Sequence, residues 1–419
     1  MKRKIMAMLL ACTMILSLTG CGGNGDSKSE SGTKNETEAD SGTDAAGGTE
    51  DGEKGDTEAA TDMKVAMITD SGDITDQSFN QTTYEACKAW SESNSVTFEY
   101  FKPESDSDEA RSASVDQAAA AGYNVIVMPG YMFAKAIVDQ AELYPDVKFI
   151  GIDVSAGDIL EKGVGEGYDY NPDNWNVEEY YNKDNVYCCT YQEEISGYMA
   201  GYATVKMGYK HLGFLGGMAV PAVTKFGYGY VQGADAAAKE MGIEKDVQVE
   251  FVYGGQFYGD ADITATMDTW YSSNGVEVVF ACGGGIYTSA AEAAKKVGGK
   301  VIGVDSDQSG IINEYGDGMT ITSAMKGLTP TVMNLLEEIK AGNWGDYAGK
   351  IDCLGMVSEN PEENYVQLPL DTTVWNDGFS EEDYKNLVQS IFTGEVQISN
   401  DISKEPETAI KLTISPNIK

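Results

Sequence analysis

Short runs of β-branched and apolar residues alternate with longer helical periods from Met63 onward. The runs predict strands at Lys64–Thr69, Val96–Phe101, Asn124–Met128, Val147–Ile152, Val186–Thr190, Leu212–Leu215, Val247–Val252, Val276–Ala281 and Val301–Val304. The intervening segments predict helices, first along the face of Phe79, Thr83, Ala86, Cys87 and Trp90, then at Asp108–Ala121, Met132–Leu143, Glu193–Lys206, Gly227–Met241, Asp262–Ser272 and Ser289–Val297. This alternation is typical of parallel sheets with helices on both faces, and residues 63–419 are long enough for two doubly wound lobes.

Two of the predicted strands end in the same way, as FIGID at Asp153 and VIGVD at Asp305, one in each half of the chain. Ligands of open parallel sheets bind at the carboxyl ends of the strands, so both carboxylates are candidates. A single aspartate after a strand is equally well explained as a turn or helix-cap residue. The repetition favours a binding role, because ionised carboxylates accept the neighbouring hydroxyls of a sugar.

One polar segment, 156–184, interrupts the alternation and is rich in tyrosine, asparagine and aspartate. Loops of this length inside a domain are uncommon and have either a functional or a lineage-specific origin. Two interpretations stay open, a surface insertion or a lid over the ligand.

The amino terminus has the pattern of a secretion signal. Lys2, Arg3 and Lys4 precede an apolar run over residues 5–18, which is too short to span a bilayer. The following Leu-Thr-Gly-Cys resembles a bacterial lipobox, which predicts a signal peptide over residues 1–21 and a lipid anchor, palmitate included, on Cys21. Residues 22–62 are acidic and almost devoid of apolar side chains, so we expect a disordered tether at the extracytoplasmic face of the cell membrane. An ordinary secreted protein with a chance cysteine is the alternative.

The chain carries a net charge of −38, which argues against nucleic acid or anionic lipid headgroups as partners. His211 is the only histidine, so a Ser-His-Asp triad or a multi-histidine zinc site would depend on a single ring. Beyond the signal, Arg111 is the only arginine, which disfavours a phosphate or carboxylate ligand. The odd cysteine count without metal-like spacing argues against a disulfide framework. We expect neither a metal nor a cofactor.

The stretch ITDSGDITDQSFNQ, at 68–81, resembles the signature of the basic membrane protein family of nucleoside-binding lipoproteins, the purine-nucleoside-receptor-like substrate-binding components of ABC importers. Further blocks agree in order, namely VIVMPGYMF, KFIGID, TYQEEISGYMAGYATVKMG, HLGFLGGMAVPAVTKFGYGYVQGA, VVFACGGGIYTSAAEAAKK, VIGVDSDQ and TITSAMKG. The resemblance implies a type I periplasmic-binding fold, with two Rossmann-like lobes joined by three crossover strands. The lobes would comprise 63–191 with 325–345, and 192–324 with 346–419.

The resemblance also implies a nucleoside site in the cleft between the lobes. Its eight candidate residues here are Asp70, Asp76, Phe79, Asn80, Asp153, Phe226, Asp305 and Lys326. Phe79 and Phe226 would sandwich the base from opposite lobes, although Phe79 could belong to the core, and Tyr228 and Tyr230 rival Phe226.

The remaining candidates would surround the ribose and the edge of the base. The aspartates that end FIGID and VIGVD would accept the ribose hydroxyls, and the lysine of TITSAMK would donate from a crossover strand. The polar residues of the first block would face the base edge or order their own loop. Residues 71–75 depart from related sequences, which leaves the choice of base open, with a purine favoured.

The resemblance implies a monomer that delivers its ligand to an ABC permease without chemical conversion. We expect hinged closure at Thr190–Gln192, Ser323–Lys326 and Trp344–Tyr347. The alternatives are the same fold binding a ribose-like sugar or another neutral polyol, or a surface receptor or sensor. An enzyme of dinucleotide-binding type would need a glycine fingerprint and a near-neutral acid or base, and neither is visible. A repressor of the same fold conflicts with the signal peptide and lacks a basic DNA-binding segment.

Overall fold

The computed structural model describes residues 62–419. Within this range the strands are β1 Lys64–Ile68, β2 Thr97–Phe101, β3 Val125–Pro129, β4 Lys148–Ile152, β5 Val186–Tyr191, β6 His211–Gly216, β7 Gln248–Tyr253, β8 Val278–Cys282, β9 Lys300–Asp305, β10 Thr320–Lys326, β11 Ile351–Leu354, β12 Val366–Gln367 and β13 Lys411–Ile414. The predicted signal peptide, the lipidated Cys21 and the tether up to residue 61 lie outside the described residues.

Helices cover both sheets. The α-helices are α1 Phe79–Asn94, α2 Asp108–Ala120, α3 Ala134–Gln140, α4 Ala156–Val164, α5 Glu193–Lys206, α6 Pro221–Met241, α7 Ala261–Thr269, α8 Tyr287–Val297, α9 Ser309–Ile312, α10 Leu328–Ala341 and α11 Glu381–Phe392. A π-helical turn at Trp270–Asn274 extends α7. No helix among residues 62–419 combines the length and the apolar character needed to cross a membrane.

The strands form two sheets of similar topology. The first has the order β11-β5-β4-β3-β1-β2, and all of its strand pairs are parallel. The second has the order β12-β10-β9-β8-β6-β7-β13, and only the pairing of β12 with β10 is antiparallel. The central strands are almost entirely buried, as expected for parallel strands covered on both faces. The two lobes predicted from the alternation are therefore two doubly wound sheets.

The chain passes between the sheets three times. The first two passages lie at Gln192, between β5 and α5, and at Gly327, between β10 and α10. The third runs through 355–365, between β11 and β12. The predicted third crossing at Trp344–Tyr347 is wrong, because β11 pairs with β5 and extends the first sheet. Residues 346–354 therefore belong with the first lobe and not with the second.

Helices α5 and α6 pack unusually closely through reciprocal glycines. A Cβ atom added at Gly197 of α5 would lie 2.1 Å from the carbonyl oxygen of Phe226, and one at Gly229 of α6 would lie 2.1 Å from that of Glu194. Gly201 and Gly233 repeat the relationship one turn further along, each with a carbonyl oxygen at 2.0 Å. Only glycine allows two backbones to approach this closely. The glycines therefore hold α6 rigidly against α5, the helix that follows the first passage between the lobes.

The tyrosine-rich segment folds onto the first lobe. Its first part is α4, which begins with a capping box formed by Ser155 and Asp158. Short 3₁₀ turns follow, with the rings of Tyr168 and Trp175 in edge contact at 6.2 Å between centroids. The Tyr181 hydroxyl donates to the carbonyl oxygen of residue 349 at 2.7 Å. The segment is thereby attached to the turn before β11.

Candidate ligand-binding site

A cavity of about 260 Å³ lies between the two lobes, at the carboxyl ends of both sheets. All eight residues proposed from the sequence line it, and they come from both lobes and from the end of β10. The cavity is further lined by Ser71, Gly72, Gly130, Tyr131, Ser155, Asp158, Thr190, Glu193, Val220, Pro221, Ala222, Val223, Lys225, Phe257, Cys282, Gly283, Gly284 and Val304. No residue of 165–184 is among the described residues that line it.

The loop between β1 and α1 is ordered by its own carboxylates. Asp70 Oδ1 accepts from the Gly72 N–H at 2.7 Å and from Asn80 Nδ2 at 2.9 Å. Asp76 accepts from the backbone N–H groups of Ser78, at 2.9 Å, and of residues 80 and 81, both at 3.0 Å. Asp76 thus caps helix α1, and burial raises its pKa. Of the two predicted roles for this loop, the structure shows its ordering.

Phe79 is the first residue of α1 and belongs to both the core and the cavity. Thr83, Ala86 and Trp90 on the same helical face are buried, as the period predicts. Phe79 is only partly buried, and it lines the cavity while packing against that core. The ring therefore contacts both the core and the cavity.

Phe226 approaches the cavity from the second lobe, one turn into α6. Its ring is 1% exposed and packs at right angles against Phe280, with centroids 5.9 Å apart. Its predicted rivals do not line the cavity: Tyr230 is fully buried, and Tyr228 packs against Phe251. The second lobe contributes another aromatic ring, Phe257, which was not predicted from the sequence.

Lys326 is the centre of the site's electrostatics. Its ammonium group forms an ion pair with Asp153, and it lies 3.4 Å from Glu193 and 3.9 Å from Asp305. It also lies 5.2 Å from the ring centroid of Phe79 and 5.5 Å from that of Phe226. Burial alone would lower the pKa of this ammonium, but the three surrounding carboxylates outweigh burial and raise it. The charged form of Lys326 is therefore favoured, and its ammonium group lies beside both rings.

Asp305 is buried and Asp153 is partly buried, and both side chains line the cavity. Burial raises the pKa of Asp153 to about 6, against the opposing effect of Lys326, and burial likewise raises the pKa of Asp305. Asp153 Oδ1 is buried and has no hydrogen-bond partner among the described residues. Asp305 Oδ2 accepts from the Ser78 hydroxyl of the opposite lobe at 2.7 Å. An unpaired carboxylate oxygen in a buried cavity is suited to accept a ligand hydroxyl.

A second charged pair in the cavity was not predicted from the sequence. Lys225, next to Phe226, lies 3.3 Å from Glu193 and donates to the Tyr191 carbonyl oxygen at 3.3 Å. The pair forms where α6 meets the start of α5, so only the packing of these helices brings it to the cavity. The one weak signal in the sequence was the position of Glu193, at the start of the helix predicted to follow the strand Val186–Thr190.

Two residues noted for their rarity lie outside the cavity. Arg111 is bound by Asp106 at 2.7 Å and Asp108 at 2.9 Å, both in the first lobe. His211, at the start of β6, lies 3.6 Å from Glu250. Neither side chain lines the cavity.

Two doubly wound lobes with polar strand ends facing a shared cavity define a solute-binding protein of the type I periplasmic-binding class. Residues 63–394 match the Bmp family, described as ABC transporter substrate-binding protein PnrA-like, and the chain belongs to this family. The family predicted from the sequence is thereby confirmed, as is the fold class. The family's members bind substrates for transporters and are not enzymes.

Relatives agree with this family assignment, and a solved structure shares the fold. The ABC transporter nucleoside-binding protein BmpA of Lactococcus lactis is 27% identical over 303 residues, covering 68% of this chain and 77% of the relative. An uncharacterized lipoprotein of Pyrococcus abyssi is 25% identical over 309 residues, covering 72% of this chain and 70% of the relative. The crystal structure of an ABC transporter solute-binding protein from Aeropyrum pernix has a TM-score of 0.60 and 20% identity, covering 81% of this chain and 94% of that one. At this identity the last likeness shows the fold alone.

Proposed function

We propose that the protein binds a nucleoside, with a purine favoured, in the cleft between its lobes and delivers it to an ABC permease. The base would stack between Phe79 and Phe226, and the ribose hydroxyls would be accepted by Asp153 and Asp305. Lys326 would donate to the ligand from the second passage between the lobes.

The observation that carries the proposal is the convergence of two aromatic rings on one ammonium group. The ring centroids of Phe79 and Phe226 lie 5.2 and 5.5 Å from Lys326 Nζ, although the rings come from opposite lobes. Rings on both sides of a base can contribute about 1–3 kcal/mol per stacked face. Carboxylates at the end of each sheet then lie beside the same cavity, where a sugar attached to that base would extend.

The charges of the cavity favour a neutral, hydroxylated ligand. Six carboxylates line it, belonging to Asp70, Asp76, Asp153, Asp158, Glu193 and Asp305, against the two ammonium groups of Lys225 and Lys326. A phosphate group would meet an excess of negative charge in a buried space, which is unfavourable. The absence of arginine from the lining residues supports the same preference.

The cellular setting is part of the proposal. The basic n-region, apolar run and cysteine of residues 1–21 support export and lipid anchoring at Cys21. The name of the Pyrococcus abyssi relative agrees with a lipoprotein, and the name of the Lactococcus lactis relative agrees with nucleoside transport. A monomer tethered at the extracytoplasmic face would capture the ligand and present it to the permease.

A ribose-like sugar is the second candidate ligand, and one observation favours it. Phe226 is only 1% exposed, so its ring offers little free surface to a ligand in the cavity. A site with only one accessible aromatic wall is what we would expect for a sugar. Isothermal titration calorimetry with adenosine, guanosine, inosine, uridine, free ribose and free adenine separates the two. If the protein binds a nucleoside, we expect tight binding of at least one nucleoside and much weaker binding of free ribose and of free adenine. Ribose binding as tight as that of every nucleoside would overturn the stacking role and establish the sugar.

A further inference from the structure

Ser78 stands at the position before α1 where a serine ordinarily caps the helix, yet its side chain makes no capping hydrogen bond. The neighbouring Asp76 takes over this role, because its carboxylate accepts from three backbone N–H groups at the start of α1. The Ser78 hydroxyl is thus free for another partner. It donates across the cleft to Asp305 Oδ2 at 2.7 Å.

A second hydrogen bond crosses the cleft beside the first, in the opposite direction. Gln308, in the second lobe, donates from Nε2 to the backbone carbonyl oxygen of Gln77 at 3.0 Å. Its Oε1 accepts from the Val304 N–H at 2.9 Å, and its own N–H donates to Ser323 Oγ at 3.2 Å. Gln308 is therefore held rigidly within its own lobe and directs its remaining donor at the other.

The backbone conformation of Gln77 is also consistent with a stabilising contact between the lobes. Its φ of 56° lies in the left-handed region, which is unfavourable for glutamine and persists only where surrounding contacts stabilise it. The Gln308 amide is one such contact, reinforced by the Ser306 hydroxyl at 3.5 Å. Ser78 and Gln308 are 0% and 1% exposed. The Ser78–Asp305 hydrogen bond is therefore shielded from water, and the Gln308–Gln77 bond is partly shielded.

We propose that Ser78 and Gln308 form a closure latch, a reciprocal pair of hydrogen bonds by which each lobe donates to the other and holds the cleft shut over the ligand. The latch deepens the proposed function and rests on it. The two residues are positioning residues, because they stabilise the closed arrangement and orient Asp305. Because Oδ2 of Asp305 accepts the hydrogen bond from Ser78, Oδ1 is the oxygen that would accept a hydrogen bond from the ligand.

The clean test is Ser78→Ala, because this substitution removes the cross-cleft donor and leaves the capping by Asp76 in place. Stopped-flow and calorimetric measurements with guanosine and adenosine should show about 10-fold weaker affinity, arising chiefly from faster dissociation. Affinity and dissociation rate within about twofold of the wild type would overturn the latch.

Ser107→Ala is the matched control. Ser107 caps α2 in the same lobe by accepting from the Ala110 N–H at 3.2 Å, and it does not line the cavity. This variant should lose stability and keep its nucleoside affinity. A parallel loss of affinity in Ser107→Ala would mean that general destabilisation explains the Ser78 result, and the latch would be rejected.

Gln308→Glu tests the second bond. Its carboxylate can still accept from Val304 but presents an acceptor, and no donor, to the Gln77 carbonyl oxygen. We expect a larger loss of affinity than for Ser78→Ala, and an affinity equal to the wild type would contradict the latch. If this variant does not fold, Ser78→Ala decides the question alone.

Failure of the latch can be told apart from failure of the proposed function. If the wild-type protein binds no nucleoside, the proposed function fails, and small-angle X-ray scattering of the wild type and of Ser78→Ala decides the latch. A larger radius of gyration in the variant supports it. Equal radii overturn it.

Discussion

Asp153 and Asp305 occupy equivalent strand ends in the two lobes and share the same left-handed backbone conformation, with φ of 57° and 65°. Aspartate and asparagine tolerate this conformation better than most residues. The sequence left two interpretations open for these residues, a turn or a ligand contact. The backbone shows the turn, and the unpaired Oδ1 of Asp153 provides an acceptor for a ligand, so one side chain can serve both.

Replacing Asp153 with asparagine should weaken nucleoside binding about 10- to 100-fold, because a charged acceptor facing the ligand is lost. Asparagine keeps the side-chain shape and the tolerance of a positive φ, whereas alanine would add backbone strain. Calorimetric titration gives the affinity, and thermal unfolding gives the stability. Asp139→Asn on α3, an exposed position paired with Lys135, is the control. An unchanged affinity in Asp153→Asn would remove this residue from the site.

Phe79→Leu should weaken nucleoside binding by about 1–3 kcal/mol through the loss of one stacking face. Binding of free ribose should change little, because the sugar is assigned to the carboxylates. Phe392→Leu, on the exposed end of α11, controls for a general effect of removing an aromatic ring. An equal loss for ribose and nucleoside would assign Phe79 to the shape of the cavity and not to stacking.

Gly197→Ala should destabilise the fold by about 2–3 kcal/mol, because the new methyl group collides with the Phe226 carbonyl oxygen. Since that oxygen belongs to the residue proposed to stack, nucleoside affinity should also fall. Urea unfolding and calorimetry measure the two effects. Gly310→Ala is the control, because a Cβ at that position would meet no atom within 4 Å apart from its chain neighbours and the backbone of its own helix. Equal stability in the two variants would contradict the close packing of α5 and α6.

The raised pKa of Asp70 predicts that the free energy of unfolding of the protein depends on pH. Burial raises its pKa from 3.8 to about 6, against the opposing hydrogen bonds from Gly72 and Asn80. The folded protein thus holds this proton more tightly than the unfolded chain, and ionisation of Asp70 destabilises the fold. The destabilisation is absent below pH 3.8 and complete above about pH 6.

The comparison variant is Asp70→Asn, which cannot ionise at this position. The stability of the wild type relative to Asp70→Asn should therefore fall as the pH rises from 4 to 6, by up to about 3 kcal/mol. Urea unfolding at several pH values measures this difference. A difference that stays constant from pH 4 to 7 would contradict the raised pKa.

Much of the fold could be predicted from the sequence, because buried parallel strands are short runs of β-branched residues. Helix α5 was predicted with its observed bounds, Glu193–Lys206. The strand β11, Ile351–Leu354, was missed because it lies at the edge of its sheet, is largely half-exposed and carries the pattern IDCL. The error in the third crossing follows directly from that omission.

The candidate site divides in a similar way. Residues at strand ends, such as Asp153, could be predicted from the sequence, because the topology of the fold places strand ends at the cleft. The pairing of Glu193 with Lys225 could not be predicted, because it depends on the contact between α5 and α6. The orientation of Ser78 was also beyond sequence reasoning, since a serine before a helix predicts a cap and only the structure shows Asp76 in that role.

The most direct test of the central claim is a crystal structure of the protein with the nucleoside that binds most tightly in the titration. We predict the base between the rings of Phe79 and Phe226, with the ribose hydroxyls on Asp153 and Asp305. A base lying elsewhere in the cleft, or either phenyl ring turned away from the bound ligand, would contradict the account.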